Sequence, residues 1–453
     1  MTGREILLRA IRNEDTPRAP WLPFVGTHGG SLVGKTATEY LQSADALAAG
    51  ILKANELYKP DGLPITFDLQ MEAEILGCPL KWADEGPPSV SGHPLETMAL
   101  EELPSFDTTA GRYPIVADAM ARVKAEIGGE VALYGLITGP FTLAMHLMGN
   151  GIFLDMFDEP EKVSKVLELC LEVGKKAADF YIDNGADVIA VVDPMTSQIS
   201  PAHFEEFVTP FLNPLFDHIR AKASYSSLFV CGDATRNLEV MAQTTCDNMS
   251  IDENISLEQL KELAAKYDKS FGGNLKLTVV LLLGTPDDAR LDAIRCLDVA
   301  GTKGFILAPG CDLPYATPPE NLVAVAEMAH DEYKRDVARN TLKASEVDLD
   351  SFDWPDYRQE PNVVVDVITL NSETCAPCQY MLDAVIKASE RLEGAVTVRE
   401  HRITTLAGLA AMKKLGVEHI PTICIDGDPK FISIIPDQDA LLRAIDEKQK
   451  LRG

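Results

Sequence analysis

At 453 residues the chain is too long for one ordinary compact domain and suggests about two or three units. Hydrophobic residues at 46% supply a substantial core, while 41 Lys plus Arg against 69 Asp plus Glu leave a formal net charge of −28. That balance argues against a nucleic-acid or anionic-membrane partner, since both need a positive footprint. Met1-Thr2-Gly3-Arg4-Glu5 carries no apolar stretch of the kind a signal peptide needs. The most apolar run, Leu277 to Leu283, is too short to span a bilayer. Nine cysteines at scattered spacings do not read as a secreted disulfide framework, so a reducing cytoplasm is the expected setting.

Taken in chain order, strands are predicted at Trp21 to Val25, Leu63 to Phe67 and Val131 to Leu136. A helix is expected to begin near Pro140, and another pattern covers Glu161 to Ile182. Asp187 to Asp193 is a near-continuous apolar run ending in an acid, as a buried parallel strand approaching a functional mouth would be. Ser227 to Val230, Asn248 to Ile251, Ser270 to Gly272 and Gly304 to Leu307 follow, with a helical pattern at Leu257 to Lys266. Strands alternating with helices imply an α/β fold with a parallel sheet. About eight such units over residues 1–338 suit a (β/α)8 TIM barrel, with a doubly wound open sheet as the competing architecture.

Residues 339–361 lose this periodicity and are acidic, which reads as a linker. Residues 362–453 then form a smaller α/β unit. Its first strand, Asn362 to Leu370, runs into Cys375-Ala376-Pro377-Cys378 and a helical pattern. A C-x-x-C at such a turn gives its first thiol the positive end of a helix, which favours thiolate, and a second thiol placed to resolve a mixed disulfide. Farther on, Pro421 stands immediately before the strand Thr422 to Ile425. Half a zinc site is the rival reading of the cysteine pair.

In a barrel the strand C-termini converge on one mouth. Cys231 follows the strand Ser227 to Val230, and Cys311 follows Gly304 to Leu307. Two thiols meeting there would make a soft-metal or thiol-activating site; otherwise each is a small apolar core residue. His28 follows the first strand, Asp68 the second, and Asp193 ends its own. Asp252 and Glu253 follow Asn248 to Ile251, whereas Cys246 precedes it and belongs at the opposite end. Asp68 could equally cap the helix at Leu69 to Leu76, and His28 could bond to backbone in its glycine-rich turn. Gly272-Gly273-Asn274 would let backbone approach a large planar ligand, or form a tight strand-to-loop turn. His93, His146, His203 and His218 read as surface or packing residues.

Several of these stretches carry a family resemblance: Phe67 to Cys78, Thr138-Gly139-Pro140-Phe141, Gly185-Ala186-Asp187, Asp193-Pro194, Gly272-Gly273-Asn274-Leu275 and Leu307-Ala308-Pro309-Gly310-Cys311. Over residues 1–338 the chain resembles the uroporphyrinogen decarboxylase superfamily, which includes the corrinoid-dependent methyltransferases. The resemblance implies a (β/α)8 barrel, with Asp68 at the position of the catalytic aspartate. The decarboxylases bind a polycarboxylate and carry arginines on an N-terminal loop; Phe24 to Gly30 here contains none. The methyltransferase branch carries zinc on a His-x-Cys and a distant second Cys. Cys231 and Cys311 match the cysteines, but Phe229 stands where the histidine would be.

The expected activity is therefore methyl transfer between a corrinoid protein and a small-molecule acceptor, a thiol or folate-like compound. Zinc would sit on Cys231 and Cys311, completed by His28 or a mouth carboxylate. His28, Asp68 and Asp193 are the candidate catalytic residues, and Gly272, Gly273 and Asn274 the candidate cofactor-binding ones. No Asp-x-His-x-x-Gly motif is present, so the corrinoid would arrive on a separate protein. A decarboxylase-like lyase and a thiol-redox or binding protein with a non-catalytic barrel are the alternatives. Residues 362–453 resemble thioredoxin-fold proteins, with Cys375 and Cys378 as the redox pair and Pro421 as the cis-proline. Thr374 replaces the tryptophan that precedes the motif in many thioredoxins.

Overall fold

Alternating apolar runs and amphipathic stretches become strands and helices in the computed structural model, which describes residues 1–343, 352, 354, 356–373, 375–392 and 396–452. The chain divides into two compact units, Met1–Thr196 with Ser200–Ser345, and Ser197–Ile199 with Glu346–Gly453. Among the described residues, no helix is long and apolar enough to cross a membrane.

The larger unit contains β1 (Gly62–Pro64), a two-strand hairpin of β2 (Leu80–Lys81) and β3 (Ser89–Val90), then β4 (Ala132–Thr138), β5 (Val188–Val192), β6 (Tyr225–Val230), β7 (Asn248–Ile251), β8 (Ser270–Leu275) and β9 (Phe305–Pro309). Seven of these make one sheet in the order β1-β4-β5-β6-β7-β8-β9. Every neighbouring pair in it is parallel.

The segment Pro20 to Leu22 joins its two edges. Leu22 N–H donates to the Leu307 carbonyl and Leu307 N–H to that of Pro20, each at 2.9 Å, while Asp61 N–H reaches the Trp21 carbonyl at 2.8 Å. The curled sheet is consistent with a TIM-like barrel, and an open sheet with free edges is not. The strand expected at Trp21 to Val25 is shorter than the sequence suggests, with Trp21 making one parallel bridge to Leu307. Pro20 and Pro23 bracket it, and proline has no N–H to extend a ladder.

Inward and outward side chains alternate with period two. Tyr134 and Leu136, Val188, Ala190 and Val192, Phe229, and Ile306 and Ala308 share one buried cluster. Leu7, Ala10 and Ile11 of the N-terminal helix Gly3–Ile11 belong to the same cluster. Near the strand C-termini, Phe24 lies 4.8 Å from Phe229 and 5.9 Å from Phe67, ring centre to ring centre, and Phe67 meets Phe229 edge-on at 5.9 Å. These rings form an apolar floor beneath the mouth.

The smaller unit has a four-stranded mixed sheet, β11 (Val396–Arg402), β10 (Val363–Thr369), β12 (Thr422–Ile425) and β13 (Asp428–Ile432), in that order. β10 pairs parallel with β11 and antiparallel with β12. Helices Ala376–Arg391, Leu406–Lys414 and Gln438–Arg452 accompany it. Val363, Val365 and Val367 pack with Met381, Val385, Leu441 and Ile445 in its core.

Much of the expected linker, residues 344–351, 353 and 355, lies outside the described residues, as does Thr374. Its first residues continue the helix Glu332–Thr341, an amphipathic segment whose pattern runs past 338. At its other end, Tyr357 donates its hydroxyl to Asp366 of β10 at 2.7 Å.

Candidate active site at the strand C-termini

Cys231 directly follows β6, and Cys311 stands two residues beyond β9. The turns that carry them both rest on the loop after β7. Both cysteines are partly exposed and pack against the interior cluster that includes Phe229. Local backbone chemistry holds them there. Gly232 N–H donates to Asp252 Oδ2 at 2.8 Å, which ties the Cys231 turn to the end of β7. Gly310 passes so close to the same loop that a Cβ there would lie 2.5 Å from the Glu253 nitrogen. Only glycine lets the chain deliver Cys311 at that point.

The surroundings are acidic. The Cys311 contact, burial, and the nearby carboxylates of Asp252 and Asp312 push the Cys231 thiol well above its usual range. Burial raises Asp312 and Asp252 as well. Glu253 is pushed up to about 8 by burial and by Asp252. Each of these acids also has a structural bond. Asp312 Oδ1 accepts from Gly26 N–H at 2.8 Å, Asp252 Oδ1 accepts from Asn254 N–H at 2.9 Å, and Glu253 accepts from Leu277 N–H.

His28 does not join the thiols. It is fully buried, its Nδ1 lies 3.1 Å from the Tyr315 carbonyl and its Nε2 lies 2.7 Å from the Tyr58 hydroxyl. A carbonyl only accepts, so Nδ1 carries the hydrogen and Nε2 spends its lone pair on Tyr58. Burial holds this imidazole neutral, with its pKa pushed down to about 4. The expected ligand is a packing histidine.

Asp68 and Asp193 have their oxygens engaged too. Asp68 Oδ1 accepts from Gln70 N–H at 2.9 Å, and Oδ2 pairs with Arg112. Asp193 caps the helix Pro140–Met148: Oδ1 accepts from Thr142 N–H at 2.8 Å and its hydroxyl at 2.6 Å, and Oδ2 from Phe141 N–H at 3.2 Å. Burial raises its pKa to about 6. Both Asp193 oxygens thus hold the start of that helix.

The glycines of β8 are filled by protein rather than left open to a cofactor. A Cβ on Gly272 would lie 3.2 Å from the Ile306 carbonyl and from Ser250 Oγ, and one on Gly273 would lie 3.0 Å from the Ile251 carbonyl. Asn274 donates through Nδ2 to the Ile255 carbonyl at 2.7 Å and the Asp252 carbonyl at 3.2 Å. The three residues fit β8 between its neighbours and tether the β7 loop.

The zinc expectation meets a chemical difficulty. A zinc site with an open position uses three protein ligands. Phe229 offers none and lies fully buried against Phe24, and His28 is committed elsewhere. Among the described residues, no group of three or more His, Cys, Asp or Glu is arranged to hold a metal. The donors on hand are two sulfurs, which do not fit the expected set.

Arg112 and Glu72 escaped the sequence reading. Arg112 pairs with Asp68, donates to Glu74 Oε2 at 2.9 Å and lies 5.0 Å from the centre of the Trp82 ring. Glu72 is buried between Thr138 Oγ1 at 2.7 Å and the Tyr113 hydroxyl at 3.0 Å, and burial raises its pKa. Arg112 is the N-cap of the helix Tyr113–Ile127, and its partners Asp68 and Glu74 lie 44 and 38 residues earlier, so only coordinates reveal it. Glu72 stands inside the quoted Phe67 to Cys78 stretch, where a carboxylate among apolar residues was the available signal.

In the smaller unit, Cys375 and Cys378 form a disulfide at the start of the helix Ala376–Arg391. The Ile420–Pro421 peptide is cis.

Comparisons with known proteins agree with this architecture. The uroporphyrinogen decarboxylase (URO-D) family model matches residues 2–332, and the chain belongs to that family. It is 27% identical over 335 residues to the methylcobamide:CoM methyltransferase MtbA of Methanosarcina acetivorans, covering 72% of this chain and 97% of that protein. It is 25% identical to the uroporphyrinogen decarboxylase of a Synechococcus strain, over 70% of this chain and 93% of that one. A solved structure of a methyltransferase from Methanosarcina mazei superposes with a TM-score of 0.67 at 26% identity, covering 74% of this chain and 99% of the other.

Proposed function

We propose that the larger unit is a corrinoid-dependent methyltransferase, moving a methyl group between a corrinoid on a separate protein and a thiol or folate-like acceptor. The observation that carries this reading is that Cys231 and Cys311, each just past a strand C-terminus, pack against one apolar cluster. Relatives named methylcobamide:CoM methyltransferases support it, and make a small thiol of the coenzyme M type the first acceptor to try.

Charge favours this branch over decarboxylation. Arg112, a buried guanidinium beside Asp68, is already paired to Asp68 and Glu74 and so is not free to clamp a carboxylate. A polycarboxylate porphyrinogen needs free guanidinium groups to hold it, whereas a corrinoid fringed by neutral amides does not.

When bound, the corrinoid supplies an electrophilic methyl group. The protein's share is to exclude water with the Phe24, Phe67 and Phe229 floor and to place the acceptor beside the two thiols. The acceptor must lose a proton to attack. Asp252, which accepts from Gly232 N–H beside Cys231, is the carboxylate proposed to take it.

The smaller unit is, in this reading, a thioredoxin-like domain covering residues 362–453 after an acidic linker. Its mixed sheet, its disulfide at a helix N-terminus and Pro421 support that assignment. Its role would be to keep the barrel thiols reduced or to pass electrons to the corrinoid partner.

Absorbance of methylcobalamin mixed with the protein and 2-mercaptoethanesulfonate or tetrahydrofolate tests the proposal. Protein-dependent demethylation matched by methylated acceptor is expected. Inertness towards every acceptor, with carbon dioxide released from uroporphyrinogen, would establish the lyase instead.

A further inference from the structure

Cys231 and Cys311 come from β6 and β9, which β7 and β8 separate in the sheet, yet both pack against one apolar cluster and their turns rest on the same loop, Gly232 on Asp252 and Gly310 on Glu253. Phe229 is buried among aromatic rings and His28 is bonded to Tyr58 and Tyr315, so neither draws the sulfurs towards a metal. Cys231 and Cys311 are also partly exposed, whereas Cys78, Cys170, Cys246, Cys296 and Cys424 are buried. Two partly exposed thiols gathered on one loop need only close to about 2.05 Å to bond.

We propose that Cys231 and Cys311 form a reversible dithiol–disulfide pair, oxidised in place by a low-molecular-weight disulfide. One thiol loses its proton and attacks the oxidant, breaking its S–S bond and releasing one small thiol. The other loses its proton and attacks the mixed disulfide, forming the Cys231–Cys311 bond and releasing the second small thiol. The protein gives up two electrons and the oxidant takes them. The resulting clip links the end of β6 to the end of β9 across the mouth and withdraws both thiols from chemistry. The bond needs no methyl transfer, only two neighbouring cysteines that no third ligand draws to a metal.

The full-length protein, exposed to glutathione disulfide, quenched with an alkylating agent and mapped by mass spectrometry without reduction, decides the matter. A peptide linked through Cys231 and Cys311 is expected, with loss of both alkylation sites and their return on reduction. Cys231→Ser and Cys311→Ser should each lose the link and leave the remaining cysteine carrying glutathione. Wild-type protein in which the two cysteines are alkylated or glutathionylated separately would overturn the proposal. So would a bound zinc ion that shields both from the oxidant. Because the readout is the state of the sulfurs, a failed methyl-transfer assay leaves this result intact.

Discussion

Asp68 and Arg112 form an ion pair in which the carboxylate is 0% and the guanidinium side chain 6% exposed. Arg112 also reaches Glu74, and its Nη2 is buried without a hydrogen-bond partner. Removing one member of such a pair leaves an uncompensated buried charge, at a cost of about 3–5 kcal/mol. Arg112→Met should therefore lower the urea midpoint sharply, and adding Asp68→Asn to it should recover part of the loss. A midpoint equal to wild type in Arg112→Met would show that the pair is relaxed in solution.

Asp193 gives a pH signature. Its pKa in the fold is raised to about 6, so the folded chain holds this proton more tightly than the unfolded one. The contribution favours the fold at acid pH and is lost as pH rises from about 4 to about 6, with a total near 3 kcal/mol. Asp193→Asn keeps an oxygen to accept from Thr142 and removes the titration. Its stability relative to wild type should rise across that window, and a flat difference would contradict the assignment.

His28 has the opposite sign. With its pKa pushed down to about 4, the unfolded chain takes up the proton first. The stability this neutral ring contributes is complete above about pH 6.5 and is lost as pH falls towards 4. His28→Gln should flatten that loss and leave metal content unchanged. A zinc ion present in wild type and absent from this variant would restore His28 as a ligand.

The Cys375–Cys378 pair supplies a test of the smaller unit's role. If it maintains the barrel thiols, Cys375→Ser should make methyl transfer more sensitive to a disulfide oxidant while the rate under strong reductant stays at wild type. Equal sensitivity in both proteins would reduce the unit to a structural appendage.

The barrel was legible because buried parallel strands are near-continuous apolar runs, as in Val188 to Val192, and because Cys231 and Cys311 each follow one. The roles of His28, Asp193 and Asn274 were not legible. Each looks functional at a strand end, and what decides its role is the partner: Tyr58 and Tyr315, the start of the Pro140 helix, and the Ile255 carbonyl. Those partners are far away in sequence for the first two, and a single chain without coordinates does not announce them. Phe229 was the informative departure, since a ring in that position left the family's His-Cys-Cys set incomplete.

The most direct measurement compares methyl transfer from methylcobalamin to a thiol by wild type, Cys231→Ala and Cys311→Ala under reducing conditions. The account predicts that each substitution lowers kcat/KM by roughly 100-fold, the size of a lost positioning contact, with the fold intact. Wild-type rates in both variants would contradict it.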